Sequence, residues 1–434
     1  MNDATSHRPL LLANALLVDP STRTQIRGSL LISGGIIADA GPSLTPASTG
    51  TDVEVVDCGG QVVAPGLIDM RAATGEPGAE HRETLASASQ AAAAGGVTTI
   101  VCTPETHPPI DDPAVVDFVL RRGRDTAIVH IHAMAALTKG LEGHEMTEIG
   151  LLGQAGAIAF TDGARSIMNA RVLRRTLTYA NDFDALVIHH TQDADLAGDG
   201  VMNEGEFASR LGLPGIPAEA EAILLERDIR LVALTGARYH AATVTCRASL
   251  DILRRAKKDG LRVTASTSIN HVTLNENDIA GFRTFFKVSP PLRHEEDRIA
   301  LVQAVKEGVV DAIVSDHNPQ DVETKRQPFA EAADGAIGLE TMLAAGLRLV
   351  HDGSLDLITL LRATSTHPAK ILRLPGGTLA KGSPADIIVF DPDTPFVLDA
   401  ARLKSRCKNS PFDEARLQGR VSRTIVGGKT VFEI

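Results

Sequence analysis

Apolar runs alternate with amphipathic stretches through the middle of the chain. Eight runs read as strands: VVAPGLIDM (62–70), VTTIVCT (97–103), AIVHIHA (127–133), AIAFT (157–161), ALVIHH (185–190), YHAATVT (239–245), LRVTAS (261–266) and AIVSDH (312–317). Between most of them lie helical patterns at 82–96, 112–124, 169–180, 217–229, 249–260 and 295–308. Continuous apolar strands separated by amphipathic helices predict a parallel sheet with covered faces. Eight such units over about 250 residues predict a (β/α)8 TIM-type barrel. An open doubly wound sheet is the competing architecture. No Gly-rich phosphate loop follows the first strand to support it.

The two chain ends have a different style. Segments 10–20, 29–41 and 53–66, and again 385–393 and 423–434, alternate or run apolar between Gly, Pro, Asp and Asn. They predict a small β-sandwich domain formed from both ends. Its N-terminal part would be residues 1–62 and its C-terminal part residues 376–434, flanking a barrel over 63–375. Two longer loops, 191–216 and 267–294, interrupt the barrel, and long ordered loops in a compact domain are usually functional.

Composition narrows the class. Hydrophobic residues make up 43% of the 434, enough for a large core. A net charge of −11 argues against nucleic acid as a partner. No apolar run is long enough for a membrane span, which needs about 18 residues. The first 20 residues lack the charged and small-residue marks of a secretory signal, so a cytoplasmic location is expected. The four cysteines, Cys58, Cys102, Cys246 and Cys407, form no CxxC pair and predict neither a zinc knuckle nor a disulfide framework.

In a barrel of this type the chemistry sits at the strand C-termini. Asp162, His190 and Asp316 fall at such ends and could form part of a metal site. A catalytic zinc needs about three N or O ligands and an open position for water. The bland readings are a packed histidine and a loop-capping aspartate. His130 and His132 share one face of a strand, so they form either a chelate or two packed imidazoles. His189 and His190 point to opposite faces, so at most one looks inward.

The strings APGLIDM (64–70), EPGAEHRET (76–84), AAAAGGVTTIVCTPETHPPIDD (91–112), VMNEGE (201–206), LGLPGIPAEAE (211–221), KVSPPLR (287–293), VSDHNP (314–319) and GSPADIIVFDPD (382–393) resemble the dihydroorotases of the amidohydrolase superfamily. The resemblance covers nearly the whole chain. It implies the same barrel and small β domain, and a hydrolase of a cyclic amide. In that family a His-x-His pair after the first strand binds zinc, and an Arg two residues on binds substrate. Here these positions hold Arg71, Ala73 and Gly75. The family's substrate Asn after the second strand is Glu105. Its Asp-Asp-Gly after the fourth strand is represented by Asp162-Gly163-Ala164. The histidine of the fifth strand is kept as His190, and that of the sixth falls on Thr243. The Asn of its Lys-Val-Asn-Pro-Pro segment is Ser289. The catalytic aspartate is kept as Asp316.

Two expectations follow. In the first, the chain is a catalytically silent homologue with no cofactor, in which Arg71 pairs with Asp162 or Asp316 and fills the vacant metal position. Non-catalytic dihydroorotase-like proteins partner the catalytic chain of aspartate transcarbamoylase in pyrimidine biosynthesis. The resemblance therefore implies that partner, within a homo- or hetero-oligomer. In the second, the chain is an active zinc-dependent dihydroorotase, hydantoinase or allantoinase-like enzyme with a metal site rebuilt from His130, His132, His190, His240 and Asp316.

Overall fold

A computed structural model describes residues 8–48 and 52–434. Eight parallel strands form the barrel: Leu67–Ala72, Val97–Cys102, His130–Ala135, Ala159–Phe160, Leu186–His189, Arg238–Ala241, Val263–Ser268 and Ala312–Val314. They are hydrogen-bonded in chain order from first to eighth. The eighth meets the first just beyond its end, through a parallel bridge between Ala72 and His317 and an Ala73 N–H to His317 carbonyl bond of 2.7 Å. Buried Asp69 strengthens the seam. It accepts the Ser315 N–H at 3.1 Å and the Ser315 hydroxyl, which joins the first strand to the last.

Helices cover the strands as the pattern predicts. Leu85–Ala94 starts at a Thr84/Ser87 capping box. Pro113–Thr126 starts at Asp112, with Pro at its first position. Ala170–Asp182, Glu219–Thr235, Arg247–Lys258 and Glu295–Glu307 follow in the expected places. Both long loops carry structure of their own. Met202–Asn203 pairs with Gly215–Ile216, and helix Glu206–Leu211 lies between them. The other loop holds helix Ile269–Thr273 and two 3-10 turns, Glu276–Gly281 and Thr284–Phe286.

The chain ends build a second sheet of eight strands, five from the N-terminal side and three from the C-terminal side. It has its own core, including Leu12, Leu30, Ile37, Val63, Ile387 and Ile425. The hairpin between Thr24–Ser33 and Ile36–Gly41 turns at Gly34 and Gly35, with φ of 61° and 80°. Such a turn needs residues that tolerate the left-handed region, which is why two glycines stand there. The expected division after residue 62 cuts through a strand. Val62–Pro65 pairs with Leu10–Asp19 and Ile387–Val397 and so belongs to this sheet. The barrel begins at Leu67, because Gly66 lets the backbone pass against Thr98, where any Cβ would lie 2.2 Å from its side chain.

Candidate active site

The C-terminal ends of the strands surround a cavity of about 400 Å³. Arg71, Thr103, Glu105, Ser289 and Asp316 are among its walls. Its centre is an ion pair. Arg71 Nε donates to Asp316 Oδ1 at 2.8 Å, and the two side chains are only 12% and 11% exposed. A second Arg71 nitrogen reaches the Gly163 carbonyl at 3.4 Å. Burial opposes the charge on Arg71, but Asp316 and then Glu105 outweigh it and hold the pKa above its ordinary value. The guanidinium is therefore a fixed cation on the Asp316 carboxylate.

Asp162 is engaged elsewhere. Its Oδ1 accepts the N–H groups of Leu137 and Thr138, each at 2.9 Å, and its Oδ2 accepts the Thr138 hydroxyl at 2.5 Å. The carboxylate thus ties the fourth strand to the loop after the third. Burial still raises its pKa above the ordinary value, against those hydrogen bonds.

The two adjacent histidines separate as their alternation predicts. His189 Nδ1 meets Asp228 at 2.6 Å, and its Nε2 accepts the Ile167 N–H at 2.9 Å. Asp228 also takes the Tyr239 hydroxyl at 2.7 Å, so His189 belongs to a packed polar cluster. His190 is 2% exposed, and its ring nitrogens have no close hydrogen bond beyond an approach to the Ala242 backbone. Burial, then Arg71 and His189, pushes its pKa down to about 3, so the ring is neutral. It is the one imidazole of the expected set left free near Arg71.

The alternative donor set does not assemble. The third strand starts at His130, three residues later than its apolar run suggests, which puts His130 and His132 in its N-terminal half, at the opposite end of the barrel. His130 Nε2 contacts both oxygens of Asp386 at 3.0 and 3.1 Å, and that contact raises its pKa. Burial, then His130, lowers the pKa of His132. His240 Nδ1 meets Thr264 Oγ1 at 2.8 Å within the wall. Among the described residues, no group of three or more His, Cys, Asp or Glu side chains is disposed to hold a metal ion. A zinc ion needs about three such donors. Of the expected donors, His190 alone lies near Arg71 without a close hydrogen bond, so the side chains present do not fit the metal.

The profile described as "Dihydro-orotase-like" matches residues 60–249, and that of the "Amidohydrolase family" matches 332–432. The dihydroorotase of Ehrlichia chaffeensis is 39% identical over 98% of this chain and 96% of its own length. That of Syntrophus aciditrophicus is 41% identical over 98% and 99%. The chain belongs to the dihydroorotase family. Among solved structures, the L-hydantoinase of Arthrobacter aurescens superimposes with a TM-score of 0.88 at 24% identity, over 98% of this chain and 96% of that one. A D-hydantoinase from Bacillus sp. AR9 gives 0.82 at 23% identity, over 98% and 95%. These two likenesses speak for the fold.

Within this dihydroorotase-like site two of the departures touch. Glu105 Oε1 accepts the Ala164 N–H at 2.8 Å. A Cβ at position 163 would lie 2.0 Å from Glu105 Cδ, and the backbone there has φ of 68°. A side chain at 163 would require the Glu105 carboxylate to swing away from this contact. Ala73 and Gly75 line the cavity without any donor atom. Thr243 is buried, and Ser289 precedes Pro290 on the wall.

Several buried polar and charged residues in and around the site went unnoticed in the sequence although the quoted strings contain them. His317 of VSDHNP accepts the Gly338 N–H at Nδ1 (3.2 Å), which leaves Nε2 facing Glu83 at 3.6 Å. Arg293 of KVSPPLR donates to Thr245 (3.1 Å), to Asn203 (3.0 Å) and to the Ile216 carbonyl (2.8 Å). Glu221 of LGLPGIPAEAE accepts the Thr245 N–H at 2.9 Å and its hydroxyl. Their signal was charge inside otherwise apolar, Pro-rich segments.

Proposed function

We propose that this dihydroorotase homologue is catalytically silent and serves pyrimidine biosynthesis as a structural or regulatory partner of the aspartate transcarbamoylase catalytic chain. The observation that carries the silent part is the Arg71–Asp316 pair. In a working cyclic amidohydrolase a metal supplies an activated water and a carboxylate moves its proton. Here that carboxylate is bound to a permanent cation. The Arg71 guanidinium would compete with any divalent cation for it. The loss of a cation at Gly75 and the carboxylate of Glu105 also disfavour an anionic ring substrate. The partner rests on resemblance to non-catalytic homologues and on the preserved outer architecture.

The test has two parts. Purified protein is assayed for dihydroorotate hydrolysis and the reverse condensation, with and without added zinc, beside an active dihydroorotase. Rates at background in all conditions are expected. Zinc-dependent turnover abolished by Asp316→Ala would overturn the silent reading. Size-exclusion chromatography with the aspartate transcarbamoylase catalytic chain of the same organism is expected to give a joint peak. Separate elution at micromolar concentrations would remove the partner.

A further inference from the structure

At the opposite end of the barrel, the N-terminal ends of the fifth to eighth strands enclose a second cavity, of about 380 Å³. Leu186, Arg238, Val263 and Asp311 mark those ends. Leu186, Leu261, Val263 and Ile371 supply apolar walls, and Arg238, Arg262 and Lys370 supply charge. Ligand pockets are typically of this kind, mostly apolar with a few convergent polar groups, and of at least about 300 Å³.

The charges there are unbalanced. Three guanidiniums converge on one residue, Asp184. Arg262 and Arg373 each bond one of its carboxylate oxygens, and Arg238 donates to its backbone carbonyl and to that of Ile371, each at 2.9 Å. The remaining acid, Asp311, is already engaged by Lys257 at 2.7 Å and the Ala265 N–H at 2.8 Å. His367 contributes no charge. Its Nδ1 donates to the Asp311 carbonyl and its Nε2 accepts from Arg362 (3.1 Å), which defines a neutral ring. Lys370 is exposed on the cavity rim. The excess positive charge is felt locally: burial, then Arg373, lowers the Arg238 pKa, with Arg262 adding to the effect. An arginine cluster of this kind is unexpected in a chain of net charge −11.

We infer that this cavity is a binding site for a small phosphate monoester with an apolar body, its phosphate held by Arg262 and Lys370 and its body against Leu261, Val263 and Ile371. Planar guanidiniums bind phosphate oxygens in pairs, and a lysine adds a mobile point charge. The site lies far from the Arg71–Asp316 pair and does not depend on whether the chain is catalytic.

Isothermal titration with phenyl phosphate, phenol and inorganic phosphate at low salt tests it. Phenyl phosphate is expected to bind one per chain, at least tenfold tighter than inorganic phosphate, while phenol shows no binding. Lys370→Gln, whose exposed side chain makes no hydrogen bond or ion pair among the described residues, is expected to weaken phenyl phosphate at least fivefold. Arg262→Gln is expected to weaken it further, with the melting temperature followed as a control for folding. Raised salt should weaken binding, as for a screened ion contact. No binding of phenyl phosphate, or binding unchanged in both variants, would overturn the site.

Discussion

Arg71 decides what the barrel mouth can do. On the resemblance, the place of the family's first zinc histidine holds here a side chain that cannot lose its proton. With both partners mostly buried, removing one leaves an uncompensated charge. Arg71→Met is therefore expected to destabilise the fold by about 3 kcal/mol. Asp316 sits at φ of 51°, a region that Asn tolerates well. Arg71→Met combined with Asp316→Asn is expected to recover most of that loss, because no buried charge is left alone. Urea denaturation of the two variants measures both effects. A single variant as stable as the parent would mean that water, not Arg71, satisfies Asp316. His190 makes the complementary point: it is buried and neutral, with no close side-chain partner, and on the resemblance the positions of its companion imidazoles hold Arg71, Ala73 and Thr243.

At the level of elements, the retained family wording acquires a physical reason. VMNEGE, LGLPGIPAEAE and KVSPPLR surround Arg293, whose side chain is 2% exposed. Beyond its three bonds, Asn203 donates to Glu276 at 2.8 Å and Glu276 pairs with His294 at 2.6 Å. One buried arginine thus joins the 191–216 loop, the sixth strand end and the segment before helix Glu295–Glu307. Arg293→Met is expected to cost about 3 kcal/mol or more, and to open the 198–217 segment to limited proteolysis before the barrel melts. Equal protease resistance in variant and parent would show that the loop holds by apolar packing alone. The barrel strands and helices were legible because period and length survive in a single sequence. The strand at Val62–Pro65 was not, since an apolar run does not reveal which sheet it joins. The ends of the third strand were misjudged for a related reason: AIVHIHA is apolar from 127, yet pairing begins at His130. At the site, residue losses could be read from the motif positions. The new partners of the survivors could not, because Asp162 to Thr138 and Glu105 to Ala164 are contacts across loops.

Across the whole molecule, the departures read from the family pattern sit inside an intact frame. The barrel closes through Asp69 and Ser315, the β domain packs on its own core, and the fold superimposes on an L-hydantoinase at a TM-score of 0.88. If the frame is preserved, the metal site should be recoverable separately from the chemistry. The triple variant Arg71→His, Ala73→His, Thr243→His removes the competing cation and returns three imidazoles beside His190 and Asp316. It is expected to bind about one zinc ion per chain, since three or four N and O donors suffice for a tetrahedral site. Turnover of dihydroorotate is expected to stay at background, because Gly75 still offers no cation to an anionic ring and Glu105 still faces it with a carboxylate. Metal analysis after dialysis reads the first outcome and a coupled assay the second. A variant that folds but takes up no zinc would mean that the backbone around Gly163 and Glu105 has moved too far for the ligands to converge. Activity in that variant would mean that the metal alone separated this chain from its catalytic relatives.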